Sequence, residues 1–124
     1  MRKLTFVALV LVLGFVTVQN ASAQKVIKLN QVEGEFTTKH LDLKPGDYIF
    51  KVTNKGADKE VGFVLAPQEN NGAAGEHIKE AYLQKTINKG ETSESKVVTL
   101  KEGTYNYFCP LNPTPHYTIT VSSK

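Results

Sequence analysis

The sequence has no tryptophan, one methionine, one cysteine and three histidines in 124 residues. The methionine is Met1, so the folded body of the chain has no thioether to offer. A single cysteine cannot close an internal disulfide, which leaves Cys109 buried and inert, paired with another chain, or held by a metal. Charge of either sign is in short supply, with 15 Lys+Arg against 12 Asp+Glu. Setting aside residues 1–23 removes two basic residues and no acidic ones, leaving 13 against 12 and a net charge of +1. That balance gives no reason to expect a nucleic-acid partner. No Ser-His-Asp order, phosphate loop or paired-carboxylate pattern rises above chance, so nothing points to a hydrolase or a nucleotide enzyme.

Long apolar runs are limited to one. Arg2 and Lys3 form a basic start, Leu4 to Val18 is almost wholly apolar, and Ala21-Ser22-Ala23 is a small-residue cleavage site. Together these read as a secretory signal peptide over residues 1–23, with the mature chain starting at Gln24. The run falls short of the about 20 residues a membrane span needs, so no membrane insertion is expected after its removal. The expected location is periplasmic or secreted, an oxidising compartment.

The remaining residues, 24–124, suffice for one domain with one core. Strand signals dominate: Val26 to Leu29, Thr38 to Leu43, Asp47 to Thr53, Val61 to Ala66, Lys96 to Leu100, Thr104 to Phe108 and Tyr117 to Val121 are rich in β-branched and aromatic residues. Lys44-Pro45-Gly46, Asn54-Lys55-Gly56, Asn88-Lys89-Gly90 and Lys101-Glu102-Gly103 punctuate them as turns. The expectation is an all-β Greek-key sandwich. Ala74, Ile78, Ala81 and Tyr82 recur at roughly helical spacing, which predicts one short helix inserted around residues 73–85.

Chemistry concentrates in Gly103-Thr104-Tyr105-Asn106-Tyr107-Phe108-Cys109-Pro110-Leu111-Asn112-Pro113-Thr114-Pro115-His116. A thiolate at the end of an aromatic strand and an imidazole seven positions later are the makings of a mononuclear copper site. Strand polarity puts Glu60, Cys109 and His116 at one pole if the strand pairs neighbour each other in Greek-key order. Each also has a plainer reading: Cys109 as core, His116 as a loop residue bonded to backbone, Glu60 as a solvated turn residue beside Asp58 and Lys59. Asn112 before Pro113 reads as a turn. Alternation turns His40 and Asp42 to solvent, and His77 falls on a polar face of the expected helix.

Lys44-Pro45-Gly46-Asp47, Val52-Thr53-Asn54-Lys55-Gly56, Asn88-Lys89-Gly90-Glu91-Thr92 and the Gly103 to Pro110 stretch resemble, in order and spacing, the cupredoxins, a family of small copper-binding β-sandwiches. The resemblance runs through most of the mature chain and implies one Cu(II)/Cu(I) ion. It also exposes departures. Glu60 stands six residues after Asn54, where blue-copper members have their first histidine ligand, and the axial methionine is missing. The red-copper branch, nitrosocyanin, is similar in placing a glutamate there, and it has a histidine where this chain has Asn112. The resemblance thus implies Glu60, Cys109 and His116 as metal ligands, with Asn112, His77 or water as the fourth. It implies electron transfer or small-molecule redox chemistry with an unidentified redox partner or substrate, a copper-binding or electron-transfer protein ahead of an enzyme, with the enzyme question left open. The alternatives are a metal-free cupredoxin-like interaction module and a periplasmic copper carrier.

Overall fold

The computed structural model describes residues 24–124, so the signal-peptide reading of 1–23 lies outside the described residues. Nine strands run through the described chain: β1 Lys25–Val32, β2 Glu35–Phe36, β3 His40–Leu43, β4 Gly46–Asn54, β5 Val64–Pro67, β6 Thr92–Glu94, β7 Val98–Leu100, β8 Gly103–Phe108 and β9 Tyr117–Val121. They make two sheets. The first has the order β2-β1-β4-β6, with β7 also pairing β4, and the second has the order β3-β9-β8-β5. β1 runs parallel to β4 and β3 parallel to β9, while the other neighbours are antiparallel. The expected all-β sandwich is what forms.

Alternation decides which side chains meet between the sheets. In β4, Tyr48, Phe50, Val52 and Asn54 point inward while their neighbours stay partly exposed. From the facing sheet come Leu65, Tyr105, Tyr107, Ile119 and Val121. Phe36, fully buried in two-residue β2, sits among three aromatic rings: edge-on to Phe63 at 6.0 Å, Tyr107 at 5.2 Å and Tyr117 at 6.0 Å. Edge-to-face pairs at these separations add to the area they bury.

β2 and β6 escape the sequence reading because they have two and three residues and are mostly polar, too short for a period to show. The short helix expected at 73–85 is present as one 3-10 turn, Lys79–Ala81, without a side-chain N-cap. Sheet edges take its backbone groups instead. Ala74 bridges Gln68, the Ile78 N–H donates to Leu65 O at 2.8 Å, the Lys96 N–H to Glu80 O at 3.1 Å and the Gln84 N–H to Glu94 O at 3.0 Å. With the Ile78 and Gln84 N–H groups and the Glu80 carbonyl committed to other segments, a continuous i to i+4 ladder cannot run through the segment. The segment therefore spans one flank of the sandwich, covering the edge of β5 and reaching β6.

Candidate metal centre

Cys109 directly follows β8 and is buried at 1% exposure. Its Sγ accepts two backbone hydrogen bonds, from the N–H of Gly62 at 3.3 Å and from the N–H of Asn112 at 3.3 Å. The loop behind it folds back on itself, because the Cys109 N–H donates to Thr114 Oγ1 at 3.0 Å and the Thr114 N–H donates to Cys109 O at 3.2 Å.

Asn112 is fully buried. Its Nδ2 donates to Gln31 Oε1 at 3.1 Å and to Val32 O at 2.8 Å, and its Oδ1 accepts from the Gly34 N–H at 2.8 Å. Gln31, also fully buried, donates from Nε2 to Gly62 O at 2.7 Å. The bonds close a ring: Cys109 to Gly62, Gly62 to Gln31, Gln31 to Asn112, and Asn112 back to Cys109. A connected buried polar ring of this kind rigidifies its surroundings. The sequence reading missed Gln31, although a signal was available. It is a glutamine in line with Ile27 and Leu29 on the inward-facing register of β1.

The other expected ligands lie apart from this ring. Glu60 is exposed, and its neighbour Val61 is the fully buried side chain, bridged to Ile87. His116 is exposed and stacks on Phe108, ring centroids 4.0 Å apart and 16° from parallel. His77 is also exposed, with Nδ1 2.9 Å from the Tyr82 hydroxyl and its ring edge-on to Phe108 at 5.9 Å. His40 lies on the outer face of β3, 2.7 Å from Thr118 Oγ1 and 3.0 Å from Asp42 Oδ1. Among the described residues no three of the His, Cys, Asp and Glu side chains converge as a group that could hold a metal.

A sequence profile described as the cupredoxin-like domain matches residues 5–121. This chain belongs to the cupredoxin-like domain family. No curated protein matches it. Solved structures that resemble it include auracyanin B, with a TM-score of 0.63 at 16% identity, covering 85% of this chain and 93% of that one. Auracyanin A, a "blue" copper protein from the green thermophilic photosynthetic bacterium Chloroflexus aurantiacus, gives 0.62 at 19% identity, covering 81% of this chain and 100% of that one. Dithionite-reduced auracyanin from the photosynthetic bacterium Roseiflexus castenholzii gives 0.60 at 14%, covering 81% and 98%. At these identities the likeness shows the fold.

The donor set at the pole of this cupredoxin-like domain does not fit a copper ion. Copper of the cupredoxin kind is held by thiolate with imidazole. Here the inward position beside Gly62 is a valine, and every side-chain hydrogen-bonding atom of Asn112 is occupied within the protein. Imidazole is present only on the surface.

Two further features complete the pole. An apolar groove of about 310 Å³ runs between Phe63, Val64, Tyr82, Leu83, Pro110 and Leu111, with Leu111 49% exposed. Inside the sandwich, burial first and the neighbouring Tyr117 second push the Tyr107 hydroxyl up to about 12, and it donates to Thr38 O at 2.6 Å. Tyr107 is thereby a neutral hydrogen-bond donor fixing the start of β3.

Proposed function

We propose that this is an exported, metal-free cupredoxin-like domain that works by binding a partner rather than by carrying electrons. One observation carries the reading: Asn112, the polar side chain nearest Cys109 in its loop, is engaged within the protein by Gln31, Val32 and Gly34 and has no atom left for a metal. Turning Asn112 to a metal would strand Gln31 Oε1, Val32 O and the Gly34 N–H, at about 1–3 kcal/mol each. Export is supported by the sequence of residues 1–23, and no helix among the described residues is long and apolar enough to cross a membrane. The test is a visible spectrum of the purified domain after addition of Cu(II). The expected result is the weak absorption of solvated copper. A strong thiolate-to-copper charge-transfer band would overturn the reading.

A second reading has Cys109, His116 and Glu60 bind one copper ion for electron transfer, small-molecule redox chemistry or copper carriage, in the manner of the nitrosocyanin-like pattern. The observation in its favour is that Cys109 and His116 bracket a single loop, with the histidine on the surface. A charge-transfer band that vanishes in Cys109→Ser and weakens in His116→Ala would establish this reading instead.

A further inference from the structure

We propose that the outer face of the first sheet is a binding surface for a polyanionic glycan, a polysaccharide bearing sulfate or carboxylate groups. This names the partner class for the binding reading above and rests on it.

The argument starts from register. Lys28 of β1 pairs directly with Lys51 of β4, and Asn30 pairs with Thr53. Both pairs point outward, since Leu29, Gln31, Val52 and Asn54 fill the inward register. β6 extends the two rows, with Glu94 opposite Lys51 and Thr92 opposite Thr53. Two lysines directly opposite each other on adjacent strands repel and are destabilising unless something neutralises them. Within the protein nothing at contact distance does. Among the described residues the ion pairs are Lys39–Glu35, His40–Asp42, Lys59–Glu33 and Lys89–Asp58, so Lys28, Lys51 and Lys55 are without a carboxylate, Glu94 included, within 4.0 Å.

These three lysines line a shallow depression of about 370 Å³ with Asn30, Thr53 and Thr92. The hydroxyls of Thr53 and Thr92 lie 2.7 Å apart on its floor. The concentration of charge is local, because residues 24–124 as a whole carry 13 basic and 12 acidic side chains. Ammonium groups match the anionic substituents of an acidic sugar, and the hydroxyl and amide groups among them match its hydroxyls. A bilayer surface asks for something else, basic residues together with apolar side chains that enter the headgroup layer. None of the six lining residues is apolar.

Isothermal titration calorimetry with a heparin octasaccharide, a polygalacturonate fragment, and vesicles of phosphatidylglycerol in phosphatidylcholine tests the proposal on the mature domain. At least one glycan should bind, more weakly as salt is raised, as expected of contacts between lysines and anions. Lys28→Ser/Lys51→Ser together should weaken binding about tenfold or more, a loss of about 1.4 kcal/mol, while Lys101→Ser/Lys124→Ser should leave it unchanged. Amide shifts on binding should centre on Asn30, Thr53 and Thr92. Absence of glycan binding, equal losses in both double variants, or binding of vesicles alone would each overturn the proposal. None of these results bears on the metal-free reading, which the copper spectrum decides separately.

Discussion

Asn112 accepts a hydrogen bond from the backbone N–H of Gly34 at 2.8 Å, tying the loop after β8 to the β1–β2 turn across 78 positions of sequence. The turn needs the help. Gly34 sits at φ 74°, and β2 beyond it is two residues long. One asparagine thus pins the turn of a hairpin too small to hold itself.

Asn112→Ala should cost about 3 kcal/mol in urea unfolding, because Gln31 Oε1, Val32 O and the Gly34 N–H lose their partner together. A loss under about 0.5 kcal/mol, the range of ordinary surface substitutions, would mean that water takes over the asparagine's role.

Cys109 should be inert toward a thiol reagent in the native domain and react fully once the chain is unfolded, since its sulfur is buried. In Asn112→Ala the native-state reaction should speed up in step with the lost stability. Rapid labelling of the native wild type would show that the pole opens without unfolding.

Glu60→Gln should leave both the unfolding midpoint and the Cu(II) spectrum unchanged, because the carboxylate is exposed. A change in spectrum with this variant would place Glu60 at a metal and favour the second reading.

The raised Tyr107 hydroxyl predicts an alkaline limit to stability. A tyrosine whose folded pKa of about 12 exceeds its ordinary value near 10 binds its proton more tightly when folded. Its contribution is therefore complete below about pH 10 and is lost as pH rises through about 12. Tyr107→Phe should flatten that loss while lowering stability at neutral pH by about 1 kcal/mol for the missing bond to Thr38 O. Denaturant melts across the alkaline range would show it, and parallel curves for the two proteins would refute it.

Phe36→Ala should be among the most damaging single truncations, at about 3–5 kcal/mol. The ring is fully buried against Phe63, Tyr107 and Tyr117, and it is the principal anchor of β2. Calorimetric unfolding would measure this.

The sandwich was legible because alternation in β4 and β9 is strong, β8 is rich in aromatic residues and turn residues mark the gaps. The inserted segment was only partly so: Ala74, Ile78 and Ala81 carry a helical spacing, but partners distant in sequence claim the backbone of residues 78, 80 and 84. At the pole the sequence reveals residue types and not their pairings. Cys109 and Asn112 stand out as a thiol and a turn residue, yet what they bond to, Gln31 and Gly62, is 81 and 47 positions away respectively. Glu60 and Val61 show the limit most simply. Register by a single residue decides which of them faces inward, and no strand signal there is long enough to fix it.

The place of β9 between β3 and β8 has a kinetic consequence. His40 pairs with Thr118, so β3 waits for a partner 78 positions downstream before it has any neighbour in its own sheet. Until then β5 and β8 can form no more than a two-stranded ribbon, and the loop that must close around them is costly in entropy. Folding should accordingly be slow for a domain of this size, in about the millisecond-to-second range, and close to all-or-none, with His40–Leu43 unable to join its sheet before Tyr117–Val121 is in place.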